Sequence, residues 1–177
     1  VSGFLGKGLA NTFDPAGDGC MGTLVSPEFN VDKKYLHFLV GGGSFRGQTC
    51  VDLVVGGKAV QSATGQDTEE LHWTSWDVSQ WTGKEATVQL VDKATGAWGH
   101  ILADQIMLSD EPIEELLSDG KLADDDQRVV VLADFEGTTY GDWKPTNQKA
   151  EPAQCCPDGD CAPIPETYTP WYSTQFE

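Results

Sequence analysis

Between Tyr35 and Met107, short apolar runs alternate with glycine-rich turns at nearly even spacing. The segment reads YLHFLVGGGSFRGQTCVDLVVGGKAVQSATG and then ELHWTSWDVSQWTGKEATVQLVDKATGAWGHILADQIM. Such spacing leaves room for strands of five to ten residues but not for helices, because no apolar repeat of three to four residues is sustained. Tyr35–Val40, Thr49–Val55, Lys58–Ser62, the stretch LHWTSWDV, Ala86–Val91 and Ile101–Leu108 read as strands. Gly56-Gly57 fits a two-residue hairpin turn, where both residues need positive φ. Upstream, GTLVSPEFNV adds a further strand. With seven or eight strands in about 108 residues, the expected class is all-β, an antiparallel jelly-roll β-sandwich.

Composition narrows the partners. Eleven basic against 28 acidic residues give a formal charge of −17. Nucleic acid and anionic membrane surfaces both require a basic footprint, so neither is an expected partner. No run of about 18 apolar residues is present to span a bilayer. The chain opens at Val1 without Met, which fits a mature or cleaved product or a fragment.

From Ser109 to Glu136 there are ten acids and two bases. Residues 111–128 therefore read as an acidic linker or a short helix, with Ile113, Leu116 and Leu117 on one face. Val129–Leu132 is an apolar run and a strand. Residues 144–177 form a Cys/Pro-rich tail without regular structure. Its CCPDGDC carries Cys155, Cys156 and Cys161, which with Cys20 are the disulfide candidates of a loop suited to a secreted, extracellular or cell-surface setting. Zinc and free thiols are the other readings of these cysteines. Cys50, inside a strand, is the expected buried free thiol.

The loops hold residue types that grip sugars: Arg46, Trp73, Asp92, Trp98 and His100. A flat aromatic ring can stack on the C–H face of a sugar, and planar bidentate groups can take its hydroxyls. Trp98 stacking, with Arg46, Glu70, Asp92 and His100 hydrogen-bonding, is one reading. The other makes Trp98 a core plug and Arg46–Asp92 a structural ion pair. Trp76 and Trp81, and Trp73 on balance, read as core or rim, and His37 as packed core. No catalytic motif of the kinds G-x-S-x-G, H-E-x-x-H or P-loop occurs, and no carboxylate sits in a recognisable glycosidase signature, so a non-enzyme is expected.

The segments GFLGKGL, GTLVSPEF, FLVGGG, GKAVQSATG, SWDVSQWTGKEATVQLVD and GAWGHILADQI, in this order, resemble one bacterial module. It is the galactose-binding-like β-sandwich appended to levanases and β-fructosidases of glycoside hydrolase family 32 and to other secreted proteins. The likeness covers about residues 2–110, within a module expected over residues 1–110. It implies a non-catalytic carbohydrate-binding module that tethers a larger secreted protein to a glycan, with a fructan as the suggested class. It also implies a structural calcium ion, for which Asp104 and Glu136 are the candidate ligands; hydrogen bonding of both to backbone groups is the alternative. Asp14 and Asp18 in DPAGDG form a second oxygen-rich turn. The family's nucleophile motif W-M-N-D-P-N-G is absent.

One departure matters. The family's opening motif, D-F-E-G, an aromatic and G-x-W, stands here as DFEGTTYGDW at Asp134–Trp143, after the module. The displaced strand at 129–143 could complete its own sandwich, insert into a neighbouring copy, or begin another unit of an array. The second of these underlies a rival reading of the chain as a structural subunit assembled by strand exchange.

Overall fold

The computed structural model describes residues 1–13, 17–19, 21–118, 122, 126–137 and 139–146, together with the backbone of 172–175. Twelve strands lie among them: β1 (Gly8–Asn11), β2 (Gly22–Val25), β3 (Phe29–Asn30), β4 (Tyr35–Gly42), β5 (Thr49–Val55), β6 (Lys58–Ala63), β7 (Thr68–Asp77), β8 (Glu85–Asp92), β9 (Ile101–Ser109), β10 (Val129–Ala133), β11 (Lys144–Thr146) and β12 (Tyr172–Gln175). A single turn of helix, α1 (Ile113–Leu116), follows β9. Gly56 and Gly57 have φ of 57° and 76°, and Val55 pairs with Lys58, so the β5–β6 hairpin turns where the two glycines allow it.

The strands form two antiparallel sheets. One runs β12-β1-β9-β4-β7, with β10 beside the far half of β9; the other runs β11-β2-β8-β5-β6, with β3 beside β8. Their inner faces share one core. Phe38, Val40, Ile101, Ala103, Ile106 and Leu108 from the first sheet meet Leu24, Val51, Leu53, Val88 and Leu90 from the second. All are buried, and Phe38 meets Trp76 edge-to-face at 4.7 Å. The chain is thus an all-β sandwich.

Strand alternation explains most of this pattern, but not β9. Ile101 and Ala103 face the core, and so do Ile106 and Leu108, which are out of phase with them. The reset is at Gln105, whose φ is 46°, and the β4–β9 register slips at the same place, from His37↔Met107 to Leu39↔Asp104. One extra residue in a bulge moves the following side chains to the other face. Leu102 and Met107 consequently point outward, into two smaller clusters. Phe4, Leu9, Leu39 and Leu71 cover the first; Ile113 and Leu116 of α1 cover the second.

The displaced motif folds onto the same chain. β10 pairs with β9 and β11 with β2, so the segment adds a strand to each sheet. Between them Phe135, Tyr140 and Trp143 pack on one another, with ring centroids 6.0 and 5.6 Å from Phe135, and close one end of the core. The expectation of an irregular 144–177 tail is corrected at two places, since Lys144–Thr146 and Tyr172–Gln175 are paired strands. Both are short, and Lys144-Pro145-Thr146 has weak strand propensity. The open backbone edges of β2 and β1 supply hydrogen-bonding partners to any extended segment that reaches them. Cys155, Cys156, Cys161 and Cys20 lie outside the described residues. Cys50 is buried as a free thiol, and burial, the leading cause, raises its pKa to about 11.

His37 is also inside. Its ring nitrogens meet Ser75 Oγ at 2.6 Å, and Ser109 Oγ and the Glu111 carbonyl both at 3.0 Å, so it ties β4 to β7 and to the end of β9. Desolvation lowers its pKa, so the neutral ring is the form held there.

Replacing Phe38 with Ala removes a fully buried ring that both sheets enclose. Urea unfolding should show a loss of about 3–5 kcal/mol with an unchanged denaturant slope. A loss below about 1 kcal/mol, the scale of an exposed-site substitution, would mean that this core does not hold the two sheets together.

Candidate functional site at the loop end

Four connections meet at one end of the sandwich: the described residues 12, 13, 17–19 and 21, and residues 43–48, 64–67 and 93–100. Backbone hydrogen bonds lock them together. Gly43 N donates to His100 O at 2.8 Å, Lys93 N to Gln48 O at 2.7 Å, Asp67 N to Gly42 O at 2.9 Å and Gly96 N to Asp18 O at 3.3 Å. Ser44 adds its amide and hydroxyl to the Asp67 carboxylate, at 2.8 and 3.0 Å. The 43–48 loop runs so close to Trp98 that a Cβ at Gly43 would overlap the Trp98 carbonyl. Glycine is therefore required there by contact, not by turn geometry.

His100 is at the centre and only 2% exposed. Its Nδ1 lies 2.6 Å from Asp18 Oδ1 and its Nε2 lies 3.1 Å from Glu69 Oε1. Both partners are carboxylate oxygens, so the ring is braced on its two nitrogen edges. Phe13 meets this ring edge-on at 5.0 Å, and Trp98 lies tilted against it at 5.7 Å. Trp98 is half-buried, on a loop, with φ of 64°. A bulky residue in the left-handed region is strained, and such strain concentrates where a side chain must be presented in one direction.

Asp92 ends β8 beneath these loops and is fully buried, and neither carboxylate oxygen has a hydrogen-bond partner. The Thr12 hydroxyl and the Ala94 amide stand near enough to favour its ionised form without reaching good hydrogen-bond geometry. Desolvation outweighs them and, with a smaller push from the Asp18 charge, raises its pKa to about 8.

The sequence-derived site is thus partly assembled. Trp98 and His100 are together. Asp92 lies underneath and not on the surface, and the proposed Arg46–Asp92 ion pair does not form, because Arg46 is exposed on the 43–48 loop while Asp92 is sealed inside. Glu70 is exposed, and its neighbour Glu69 reaches His100 instead. Adjacent strand residues project to opposite sides, so only one of the two can face the site. Trp73 lies within β7 and packs on the outer clusters, not in a turn. Glu69 and Phe13 were missed, and Asp18 was read as part of an oxygen-rich turn, not as a partner of His100. Asp18 is 82 residues from His100, and no local spacing announces such a contact.

Asp104 and Glu136 occupy a separate place near the chain start. Asp104 Oδ2 accepts from Leu5 N at 2.8 Å; Glu136 accepts from Lys7 N at 2.8 and 3.0 Å and from Gly8 N at 2.9 Å. Backbone amides therefore occupy most of the oxygens proposed for a cation. Asp104 Oδ1 is left buried without a partner, and desolvation, with Glu136 and Asp134 adding to it, raises the Asp104 pKa to about 7. No group of three His, Cys, Asp or Glu side chains with metal-ligand geometry occurs among the described residues. None of their helices is long and apolar enough to cross a membrane.

The fold and the loop-end cluster define an all-β sandwich with a polar–aromatic site at one end. In sequence, the chain is 45% identical over 109 residues to a protein of Aspergillus rugulosus named "Putative glycosyl hydrolase ecdE". That stretch is 62% of this chain and 15% of the relative, so the chain corresponds to a small part of that protein. No family profile matches.

The two raised carboxylates set a pH dependence. Asp92 and Asp104 keep their protons in the folded state at pH values where the unfolded chain, with carboxyl pKa near about 3.9, has lost them. The folded state then binds more protons, so stability falls as pH rises, from about pH 4 until both groups ionise near 7 and 8. Chemical unfolding at pH 5 and pH 9 should show lower stability at pH 9, and Asp92→Asn should flatten the decline. A curve for the Asn variant parallel to that of wild type would exclude Asp92 as its source.

Proposed function

We propose that this chain is a non-catalytic carbohydrate-binding module, a galactose-binding-like jelly roll that tethers a larger secreted protein to a glycan. The observation that carries this reading is the loop-end cluster. Trp98 is held in a strained backbone against His100, which is itself braced by Asp18 and Glu69, above an Asp92 whose carboxylate has no partner. Rigid aromatic faces beside a few converging polar groups suit a neutral polyhydroxy ligand. The name of the partial relative supports a glycosyl hydrolase as the parent protein, and the family-32 resemblance supports a fructan as the glycan. Exposed Arg46 and Glu70 lie at the rim of this reading and Trp98 at its centre, with His100 buried behind the indole and Asp92 sealed beneath it. Disulfides among Cys20, Cys155, Cys156 and Cys161 belong to the same extracellular proposal.

Calcium belongs to it as a structural ion. Asp104 Oδ1, buried and unpartnered beside Glu136 and Asp134, is the atom that gains most from a hard cation. The assembly reading rests on a different observation, that residues after the acidic segment supply edge strands to both sheets. In that reading a neighbouring copy supplies the same strands.

Two experiments test these proposals. On a glycan array the chain should bind a neutral oligosaccharide. Trp98→Ala should weaken binding about tenfold, the worth of one stacking contact, while Trp98→Phe retains most of it. A well-folded sample that binds no neutral glycan would end the lectin-like reading. Separately, millimolar calcium should raise the thermal midpoint of chelator-treated protein, and Asp104→Asn should abolish the rise; identical melting with calcium and with chelator removes the ion from the account.

A further inference from the structure

The loop end carries two aromatic rings that the fold does not use. Phe13, in the β1–β2 connection, and Phe45, in the β4–β5 connection, are 43% and 40% exposed. Neither belongs to any apolar cluster formed by the described residues. Their backbones are nevertheless fixed. The Phe13 amide donates to Asn11 Oδ1 at 2.8 Å. The Phe45 amide donates to Thr49 Oγ1 at 3.1 Å, and its carbonyl accepts from Gln48 N at 3.0 Å and Thr49 N at 2.8 Å. Thr49 is buried, and Gly43 is wedged between its hydroxyl and the Trp98 carbonyl, so the Phe45 turn is seated against the Trp98 loop. The Phe13 and Trp98 rings both pack on His100. Three rings from three connections are thereby held at one end of the sandwich. Exposed apolar groups gathered among polar ones mark a binding surface.

We propose that Phe13 and Phe45 extend the Trp98 site into a track for a neutral oligosaccharide of three or more linked units, with one unit on each ring. This rests on the carbohydrate-binding reading above and adds chain length and charge to it. A single sugar unit stacks on only one ring. Each further ring engaged by the same chain adds a contact without a new loss of translational freedom. A monosaccharide therefore uses one third of the stacking surface that the three connections present.

Charge selects the kind of ligand. Each ring has a charged residue in its own connection: Asp18 with Phe13, Arg46 with Phe45 and Lys93 with Trp98. A protein partner would have to bury these charges, which the cores of protein interfaces exclude. A sugar chain offers both C–H faces and hydroxyls, so it meets rings and charged groups alike. Among the described residues around this end, the carboxylates of Asp18, Asp67, Glu69 and Glu70 outnumber the bases Arg46 and Lys93. A uronate or sulfated chain is therefore repelled, and a neutral one is accepted.

Isothermal titration of the full chain with ladders of neutral fructo-, gluco- and galacto-oligosaccharides, from disaccharide to hexasaccharide, reads the track directly. In a ladder that binds, affinity should rise about tenfold for each further ring engaged and then level off. Phe45→Ala should lower hexasaccharide affinity about tenfold and shorten the rise, without moving the thermal midpoint, since the ring is exposed and outside every cluster. Phe13→Ala should shorten the rise in the same way. Val130→Ser, an exposed change on β10, should titrate as wild type does. Oligogalacturonides should bind more weakly than neutral chains of equal length. Affinity that is equal along the ladder yet lost in Trp98→Ala overturns the track and leaves the single-ring site standing. Phe45→Ala and Phe13→Ala variants that titrate like wild type overturn it too, as do oligogalacturonides that bind more tightly. A folded sample that binds no neutral chain of any length removes the carbohydrate reading itself, and the track with it.

Discussion

The sandwich depends on β9 being hydrogen-bonded along both edges and buried on both faces. β4 runs along one edge; β1 and β10 divide the other. Its backbone groups are thereby satisfied inside the protein, where a missing bond would be costly. Its inner side chains build the shared core and its outer ones anchor the N-terminal segment and α1. The bulge at Gln105 lets one strand serve both roles. Without it, Ile106 and Leu108 would face outward and the core would lose half of the β9 contribution.

The loop end inherits its rigidity from the same strand. His100 immediately precedes β9, and its carbonyl receives the Gly43 amide. The imidazole is clasped by carboxylates from another connection, Asp18, and from β7, Glu69. Trp98, two residues before, is therefore fixed relative to the core despite lying on a loop. At the opposite half of β9, Asp104 and Glu136 hold the Leu5–Gly8 backbone, so chain segments distant in sequence meet around one strand. Two buried, partly or wholly unpartnered carboxylates, Asp92 and Asp104, lie close to these junctions. Such groups cost stability, and sites that bind cations or polar ligands are where that cost is recovered.

Class and strand positions were legible because they rest on local rules. Alternating apolar residues, the Gly56-Gly57 turn, the buried His37 and the free Cys50 all follow from residue type and near neighbours. Trp98 and His100 were also legible, as an aromatic and an imidazole flanked by glycines on one loop. The contact of Glu69 with His100 was not legible, because Glu69 and Glu70 are chemically alike and differ only in the side of the strand they face. Asp92 read as a loop ligand because sequence gives its chemistry but not its depth.

What the sequence by itself determined was an antiparallel all-β sandwich, strongly acidic. These properties need only periodicity and composition. The tertiary structure alone decided the bulge phase of β9, the clasp of His100 by Asp18 and Glu69, and the pairing of β10 and β11 with strands far upstream. Each is a contact between residues tens of positions apart or more, and its energy depends on burial and geometry that no single stretch of chain encodes.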